Sequence, residues 1–256
     1  MVTSQRTIRG LVALGLAAGL VVAACGSSNT TSNPFNVPAG NGAGASSAAG
    51  GNSLTSGLSS NLDALTSYQF SESIGASGLG GAASPGETGM SLLITGTVIN
   101  KPTTAIMVNN FGIQTIVIGT QEWTSMDGNS WYPSSSTDAS SVTDLLPGKD
   151  YATWFDSNST GFTVAGDETK NGVPCVHYKG SDSLSSLYAG LAGVSANFQA
   201  DLWVAKDGNY PVSGIYGFFA SSGGQSGAFG YSFDVTHVND SANSVTPPTN
   251  VVSIPS

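Results

Sequence analysis

The chain has 256 residues, of which only 9% are charged, and its 7 Lys and Arg are outnumbered by 16 Asp and Glu. Average globular domains carry about 25% charged residues, so this chain is unusually poor in charge. Its formal net charge of −9 is the opposite of what binding to a phosphate backbone requires, which excludes nucleic acid as a partner. Hydrophobic residues make up 39% of the chain, enough for the core of a single domain.

Residues 1–24 have the layout of a secretory signal peptide. Arg6 and Arg9 precede an uncharged run of 14 residues, Leu11–Ala24. A membrane-spanning helix needs about 20 apolar residues, so this run is too short to cross a bilayer. We therefore expect export and no integral membrane helix.

The junction Val22-Ala23-Ala24-Cys25 resembles the lipobox of bacterial lipoproteins, in which an aliphatic residue and two small residues precede a cysteine. In those proteins the cysteine receives diacylglycerol and becomes the mature N-terminus, so Cys25 is the expected site of lipidation. Two acyl chains on one residue give stable anchoring, whereas one chain binds reversibly. We expect the protein on the extracytoplasmic face of the cell membrane. The alternative is an ordinary signal-peptide cleavage site that happens to lie beside a cysteine.

The sequence after Cys25 divides into three parts. Residues 25–57 are mostly Gly, Ser, Ala, Asn and Thr without any charge, a composition that cannot order itself and predicts a flexible tether. A β domain is predicted over residues 58–245, followed by an extended tail over residues 246–256. Loss of residues 1–24 leaves five Lys against sixteen acidic residues, so no basic patch would assist the anchor.

Apolar and polar residues alternate with a period of two after residue 58, which predicts strands with one dry and one wet face. Turn formers such as Asn171-Gly172 lie between many of these segments, so neighbours in sequence should be neighbours in the sheet. The predicted strands, about eleven in number, are Tyr68–Ile74, Leu92–Ile99, Thr104–Asn109, Gln114–Ile118, Glu122–Ser125, Ser130–Tyr132, Phe162–Glu168, Val173–Lys179, Ala200–Ala205, Val212–Ala220 and Phe229–Thr236.

Helical patterns are few and short. They cover Leu58–Leu65, Ala139–Leu146, Tyr151–Phe155 and Leu184–Ala192. An antiparallel sheet of about eleven strands should curl, and helices this short cover only part of its apolar face. The sheet then either closes and fills with its own aromatic side chains, or it remains a half-barrel with the helices on its concave side above a cavity. Composition leaves both arrangements open.

Several phrases, taken in order, resemble the LolA-like superfamily of lipoprotein and lipid carriers, and most closely its actinobacterial LppX/LprG family. The phrases are Leu62–Phe70, Ile118–Trp123, Asp127–Tyr132, Thr169–Gly180 and Asp201–Val212. The resemblance implies a mainly β half-barrel of antiparallel strands whose concave helices enclose an apolar pocket. It also implies that the pocket holds acyl chains while the protein carries them between membranes. The loop Gly75–Gly89 and the small residues along Gly214–Gly230 depart from the family pattern.

Residues suited to catalysis are scarce. Cys175 is the only cysteine besides Cys25, so no disulfide can form once Cys25 is lipidated. His177 shares a strand face with Cys175, but a spacing of two residues holds their side chains beyond hydrogen-bond reach. One thiol and two histidines provide no zinc-binding spacing, and no acid–base pair is recognisable. We expect a protein without enzymatic activity, cofactor or metal.

The prediction is a monomeric lipoprotein that binds a lipid or acylated ligand in an apolar cavity, for lipid transport or presentation in the cell envelope. The residues expected to line the cavity are Leu65, Tyr68, Phe70, Ile94, Met107, Leu184, Leu187, Leu191, Phe229, Tyr231 and Phe233. Two alternatives stay open. One is an envelope-sensing regulatory module on the same fold. The other is a carbohydrate-binding surface lipoprotein whose aromatic platform is formed by Trp123, Trp131, Tyr132 and Trp154.

The anchor prediction is tested by Cys25→Ser. Without the thiol no diacylglycerol can be attached, so the protein should move from the membrane pellet to the soluble fraction on ultracentrifugation. Cys175→Ser is the matched control and should remain in the pellet. Retention of the Cys25→Ser protein with membranes would contradict the prediction.

Overall fold

The computed structural model describes residues 57–77, 90–110, 112–134, 147–180, 195–222 and 225–252. The strands are β1 (Ser67–Ser77), β2 (Met90–Ile99), β3 (Ala105–Asn110), β4 (Ile113–Ile118), β5 (Gln121–Ser125), β6 (Tyr132–Ser134), β7 (Phe162–Lys170), β8 (Val173–Gly180), β9 (Ser195–Ala205), β10 (Pro211–Ser222) and β11 (Gln225–Thr236). The helices are α1 (Leu58–Ala64) and α2 (Pro147–Ser157), and a 3₁₀ turn follows over Ser159–Gly161.

All eleven strands belong to one antiparallel sheet in the order β6-β5-β4-β3-β2-β1-β11-β10-β9-β8-β7. The outer strands β6 and β7 do not pair with each other, so the sheet is curved and open, which confirms the predicted half-barrel. Neighbours in sequence pair throughout, and the pair β1–β11 joins the two halves. At the β7–β8 turn, Asn171 and Gly172 have φ of 52° and 79°, the backbone that a tight two-residue hairpin requires.

The helix prediction over Leu58–Leu65 is confirmed by α1. The prediction over Tyr151–Phe155 lies within α2, which is longer at both ends. The segments Ala139–Leu146 and Leu184–Ala192 lie outside the described residues. In the ranges that are described, no helix is long and apolar enough to cross a membrane.

The main core lies between the two helices and one face of the sheet, called here the concave face. Leu58 and Leu62 of α1 and Phe155 of α2 are almost completely buried there. Burying one such side chain contributes about 1.5–3 kcal/mol. Tyr68 and Phe70 of β1 belong to the same cluster, because residues of even number in this strand face the helices.

A smaller apolar cluster lies on the opposite, outer face. Ile116, Trp123 and Trp131 form it, and Val245, just before the predicted C-terminal tail, packs against them. The tail then bonds to the main chain of Trp131. The Trp131 amide donates to Asn250 O at 3.0 Å, and the Val252 amide donates to Trp131 O at 2.8 Å. Part of the predicted tail is therefore bound to the sheet.

The carboxylate of Asp156 connects the two helices. Asp156 of α2 accepts hydrogen bonds from the amides of Gly57 and Leu58 at 2.9 and 3.0 Å through Oδ1, and from Ser59 at 3.3 Å through Oδ2. The first amides of a helix have no partner within it, and a negative charge at this end is favourable. Gly57 occupies the N-cap position and has no side chain with which to cap the helix. Asp156 therefore replaces the missing cap.

Asp156→Ala removes the acceptor for three amides and should lower the free energy of unfolding by about 1–2 kcal/mol, the usual range for a lost helix cap. Asp156→Asn retains one acceptor oxygen and should recover part of the loss. Asp63→Ala is the control, since it removes an exposed ion pair with Lys149 that is worth about 0.5 kcal/mol. Denaturant unfolding followed by tryptophan fluorescence measures all three, and equal midpoints for Asp156→Ala and the unsubstituted protein would refute this role.

Candidate functional site

The apolar side chains of the concave face differ in burial. The end where β1 begins and β11 ends is called the lower concave face, and its apolar side chains are buried. They include Tyr68, Phe70, Val98, Ile106, Leu202, Phe233 and Val235. The rest of this face is called the upper concave face, and it combines buried side chains such as Phe229 with half-buried apolar ones. The half-buried ones include Ile74, Ala76, Ile94, Val108, Phe198 and Tyr216.

Two glycines explain why the lower concave face packs so tightly. A Cβ at Gly96 would collide with the ring of Phe70, and a Cβ at Gly214 would collide with the ring of Phe233. Because these residues have no side chain, both rings lie directly on the backbone of the neighbouring strand. The helices then cover the rings, and this half of the interior is filled by the protein's own side chains.

Aromatic residues of α2 form the border between the two halves. Tyr151 stacks on Tyr231 with ring centroids 3.4 Å apart, and its hydroxyl oxygen lies 3.1 Å from that of Tyr216. Trp154 also stacks on Tyr216, with centroids 5.5 Å apart. Tyr151, Trp154 and Tyr216 are half-buried. This aromatic layer is the floor of the upper concave face.

The floor also contains a buried carboxyl group. Glu72 is 1% exposed and lies between Ile94 of β2 and Phe233 of β11 in the strand register. The Tyr231 hydroxyl donates to Glu72 Oε1 at 2.5 Å. Burial, and then the charge of Glu72, raise the pKa of Tyr231 far above its ordinary value, so this hydroxyl remains a donor. The floor thus combines tyrosine hydroxyls with one carboxyl group.

Seven of the predicted cavity residues come together in the concave cluster: Leu65, Tyr68, Phe70, Ile94, Phe229, Tyr231 and Phe233. Of these, Ile94 is half-buried, whereas the others are buried within the cluster. Leu184, Leu187 and Leu191 lie outside the described residues. The sequence reasoning missed Glu72, Ala76, Val108, Tyr151, Phe198 and Tyr216, which also form the upper concave face or its floor.

The prediction that Met107 of β3 faces the cavity is wrong. It pairs with Thr97 and Ile116, lies on the outer face and is 38% exposed. Its neighbour Ile106 faces the core instead. Residues 105–108 are apolar at every position, so alternation could not show which face each side chain occupies.

The four aromatic residues of the carbohydrate hypothesis do not share a surface. Trp123 and Trp131 are buried in the outer cluster, while Trp154 packs in the interior beside Tyr216. Tyr132 is exposed. These positions are typical of tryptophans that serve packing, and they do not form an aromatic platform.

A polar network lies on the outer face of β7–β9. His177 Nδ1 is 2.9 Å from Glu168 Oε1, and His177 Nε2 is 2.8 Å from Asp201 Oδ1. Trp203 stacks on the imidazole with centroids 4.4 Å apart and donates its Nε1–H to Glu168 Oε2 at 2.7 Å. His177 is therefore held on both ring nitrogens and on one face.

Cys175 does not form a catalytic pair with His177. Its Sγ donates to Val173 O at 3.2 Å, and burial raises the pKa of the thiol, which disfavours the nucleophilic thiolate. Among the described residues, no group of three His, Cys, Asp or Glu could hold a metal ion.

The polar network predicts acid sensitivity. The hydrogen bond from Trp203 lowers the pKa of Glu168. Burial alone would raise the pKa of Asp201, but the hydrogen bonds from His177 and Gln199 outweigh burial and lower it. A carboxyl group with a lowered pKa in the folded state stabilises that state above its unfolded pKa of about 4, and this contribution disappears as the pH falls through the folded pKa.

We expect the free energy of unfolding to fall as the pH decreases from about 5 to 2, and to fall less in Asp201→Asn. Denaturant titrations at a series of pH values measure this slope. Asp207→Asn, an exposed carboxyl outside the network, should keep the full slope. Identical slopes for Asp201→Asn and the unsubstituted protein would count against a contribution from the network.

Comparison with known proteins finds similarity in fold alone. No protein-family model matches the chain, and no curated protein matches it. Among solved structures it is similar to the lipoprotein LppX of Mycobacterium tuberculosis, with 16% identity, a TM-score of 0.37 and coverage of 73% of this chain and 93% of that one. It is also similar to LprF from Mycobacterium bovis, with 13% identity, a TM-score of 0.41 and coverage of 75% and 93%.

A DUF1329 family protein from Desulfovibrio piger is a third similar structure, with 12% identity, a TM-score of 0.25 and coverage of 73% of this chain and 90% of that one. LppX shares its name with the family that the sequence resembles, and the likeness to it is one of fold. At these identities and TM-scores the likeness does not extend to a ligand or a partner.

Proposed function

We propose that this chain is an extracytoplasmic lipoprotein, anchored through Cys25, that binds a lipid or acylated ligand on its upper concave face. Carriage or presentation of that ligand within the cell envelope is the function. The observation that supports this proposal is the set of half-buried apolar side chains on the upper concave face, which lies beside the tightly packed lower one.

The physical basis is burial of acyl chains. Each CH₂ group moved from water to an apolar surface gains about 0.8 kcal/mol, so an acyl chain on this face would be strongly favoured over one in water. A chain that comes from a bilayer exchanges one apolar environment for another, and its net affinity can therefore be modest. Modest affinity allows release, which a carrier requires.

The positions of the reactive side chains favour ligand binding over catalysis. Cys175 and His177, the pair best suited to nucleophilic catalysis, are on the outer face and have separate partners. The concave side of the described residues offers apolar groups, tyrosine hydroxyls and Glu72. These groups can orient a ligand.

Two neighbouring residues of β2 provide the test. Ile94 faces the concave side and is half-buried, whereas Leu93 faces outward and is 63% exposed. The Cys25→Ser chain, exported to the envelope and purified without detergent, should yield lipid on organic extraction and mass spectrometry. Ile94→Asn should reduce the recovered lipid several-fold, because a buried amide without partners disfavours the acyl chain. Leu93→Asn should not reduce it.

Absence of lipid from the unsubstituted protein, or equal loss in both variants, would overturn this function. Retention on cell-wall glycan without lipid would favour the carbohydrate-binding alternative. Stoichiometric recovery of a partner protein without lipid would favour the sensing module.

A further inference from the structure

Three large apolar side chains are exposed at one end of the sheet. Leu93 of β2 is 63% exposed, Ile113 at the start of β4 is 38% exposed, and Met126, directly after β5, is 77% exposed. They lie at the end where β1 ends and β2 begins, which is called here the upper end. Single exposed apolar residues are normal, whereas grouped ones mark contact sites. These three side chains are called the apolar tip.

The strand register groups the three side chains. Ile113 pairs with Asn110 of β3, and Asn110 pairs with Ile94, the neighbour of Leu93. Met126 follows the last residue of β5, which pairs with the second residue of β4. Neighbouring strands are about 4.8 Å apart, so three strand spacings place the whole apolar tip within about 15 Å across the sheet. Ile113 lies on the concave side and Leu93 on the outer side, so both faces of the sheet are apolar at this edge.

The strands that form the apolar tip carry almost no charge. Residues 90–99, 105–118 and 123–131 contain one ionisable side chain, Asp127. Hydrogen bonds from amides of its own turn lower the pKa of Asp127 to about 2, so this carboxyl is ionised at neutral pH. At the opposite end of the sheet, charged residues lie in or beside the turns, and they include Lys101, Lys170, Lys206, Asp207 and Asp240.

The predicted anchor keeps a bilayer within reach of the apolar tip. The tether of residues 25–57, treated as a flexible Gly-rich chain, has a root-mean-square reach of about 30 Å. This reach is similar to the length of the central strands, so the domain can turn its upper end toward the membrane that holds Cys25. A flexible tether also gives an effective concentration of about millimolar, at which a weak contact is populated.

Charge favours a bilayer contact through the upper end. The chain has a formal net charge of −9, and anionic headgroups repel acidic side chains. The upper end of β2–β5, where Asp127 is the one charge, is repelled least. Uncharged apolar side chains at this end can instead enter the boundary between headgroups and acyl chains, to a depth of about 5–10 Å.

We propose that the apolar tip docks edge-on into the surface of the bilayer that holds the lipid anchor. This inference goes beyond the proposed function and takes from it only the anchor at Cys25. Docking brings Ile94 and Val108 of the upper concave face close to the bilayer, because they lie beside the apolar tip in the same part of the sheet. It speeds transfer of a ligand in both directions, so it does not change how much ligand the protein holds at equilibrium.

The test measures whether the apolar tip contacts acyl chains. The full lipidated chain with Cys175→Ser and Leu93→Cys is labelled with nitrobenzoxadiazole and reconstituted in phosphatidylcholine vesicles. Phosphatidylcholine with a doxyl group on its acyl chain quenches labels that enter the bilayer. The matched control carries the label on Met107→Cys, in the middle of the outer face and 38% exposed. We expect quenching about threefold stronger at position 93 than at position 107.

Substitutions in the rest of the apolar tip should remove this difference. Ile113→Asn combined with Met126→Asn introduces two amides whose desolvation opposes insertion, so quenching at position 93 should fall about threefold. Met107→Asn in the same labelled protein is the control and should leave the quenching unchanged. Met107 lies three residues before the end of β3, about 10 Å from the upper end. Thermal unfolding verifies that each variant is folded, and the comparison of positions 93 and 107 needs neither substitution.

The outcomes separate docking from ligand binding. Equal quenching at positions 93 and 107 would overturn the docking, even where lipid is recovered from the protein. Quenching at position 93 without recovered lipid would support the docking and refute the proposed ligand binding. Shielding of the label that grows with protein density, without quenching by doxyl lipid, would assign the apolar tip to a contact between two copies and overturn the inference. Failure of the full chain to associate with vesicles would refute the anchor and the docking together.

Discussion

The two described helices are much shorter than the strands that they cover. This difference in length limits how much of the concave face the helices can bury. Helix α2 has 11 residues and α1 has 7, which correspond to about 16 and 10 Å at about 1.5 Å per residue. The central strands β1 and β11 have 11 and 12 residues and extend about 36–40 Å at about 3.3 Å per residue. The two described helices can therefore cover only part of the concave face, which retains half-buried apolar side chains such as Ile74 and Ile94.

The regular alternation of apolar and polar residues made most of the fold predictable from sequence. Strands such as β1 and β11 carry large apolar residues at every second position, and turns such as Asn171-Gly172 show where the chain reverses. The same rule fails in β3, where residues 105–108 are apolar on both faces because a second cluster lies outside. Met107 was assigned to the wrong side for that reason.

The polar part of the site was harder to predict. Glu72 shares its parity with Tyr68, Phe70 and Ile74, so the pattern contained the signal that it points inward. A charged residue in a strand is usually exposed, and the hydrogen bond from the Tyr231 hydroxyl, 159 positions away, helps to explain why burial is tolerated here. Contacts between distant segments, such as the cap that Asp156 provides for α1, have no local sequence signature.

The two faces of the sheet carry different ionisable groups. The outer face holds Glu168, His177 and Asp201 in one hydrogen-bonded network, where each ionisable group has a polar partner. On the concave side of the described residues, Glu72 accepts a hydrogen bond from the Tyr231 hydroxyl, and the hydroxyls of Tyr151 and Tyr216 lie 3.1 Å apart. The network of Glu168, His177 and Asp201 thus lies on the opposite side of the sheet from the surface proposed to receive lipid.

The two edge strands of the sheet, β6 and β7, are protected from pairing with another chain in different ways. Tail residues Asn250 and Val252 occupy main-chain groups of Trp131 beside β6, while β7 carries an irregularity between Val164 and Gly166 and charged residues such as Asp167. Covered or charged outer strands discourage another polypeptide from extending a sheet. Because β6 and β7 are not hydrogen-bonded to each other, a change in the curvature of the sheet would break no hydrogen bond between its two edges.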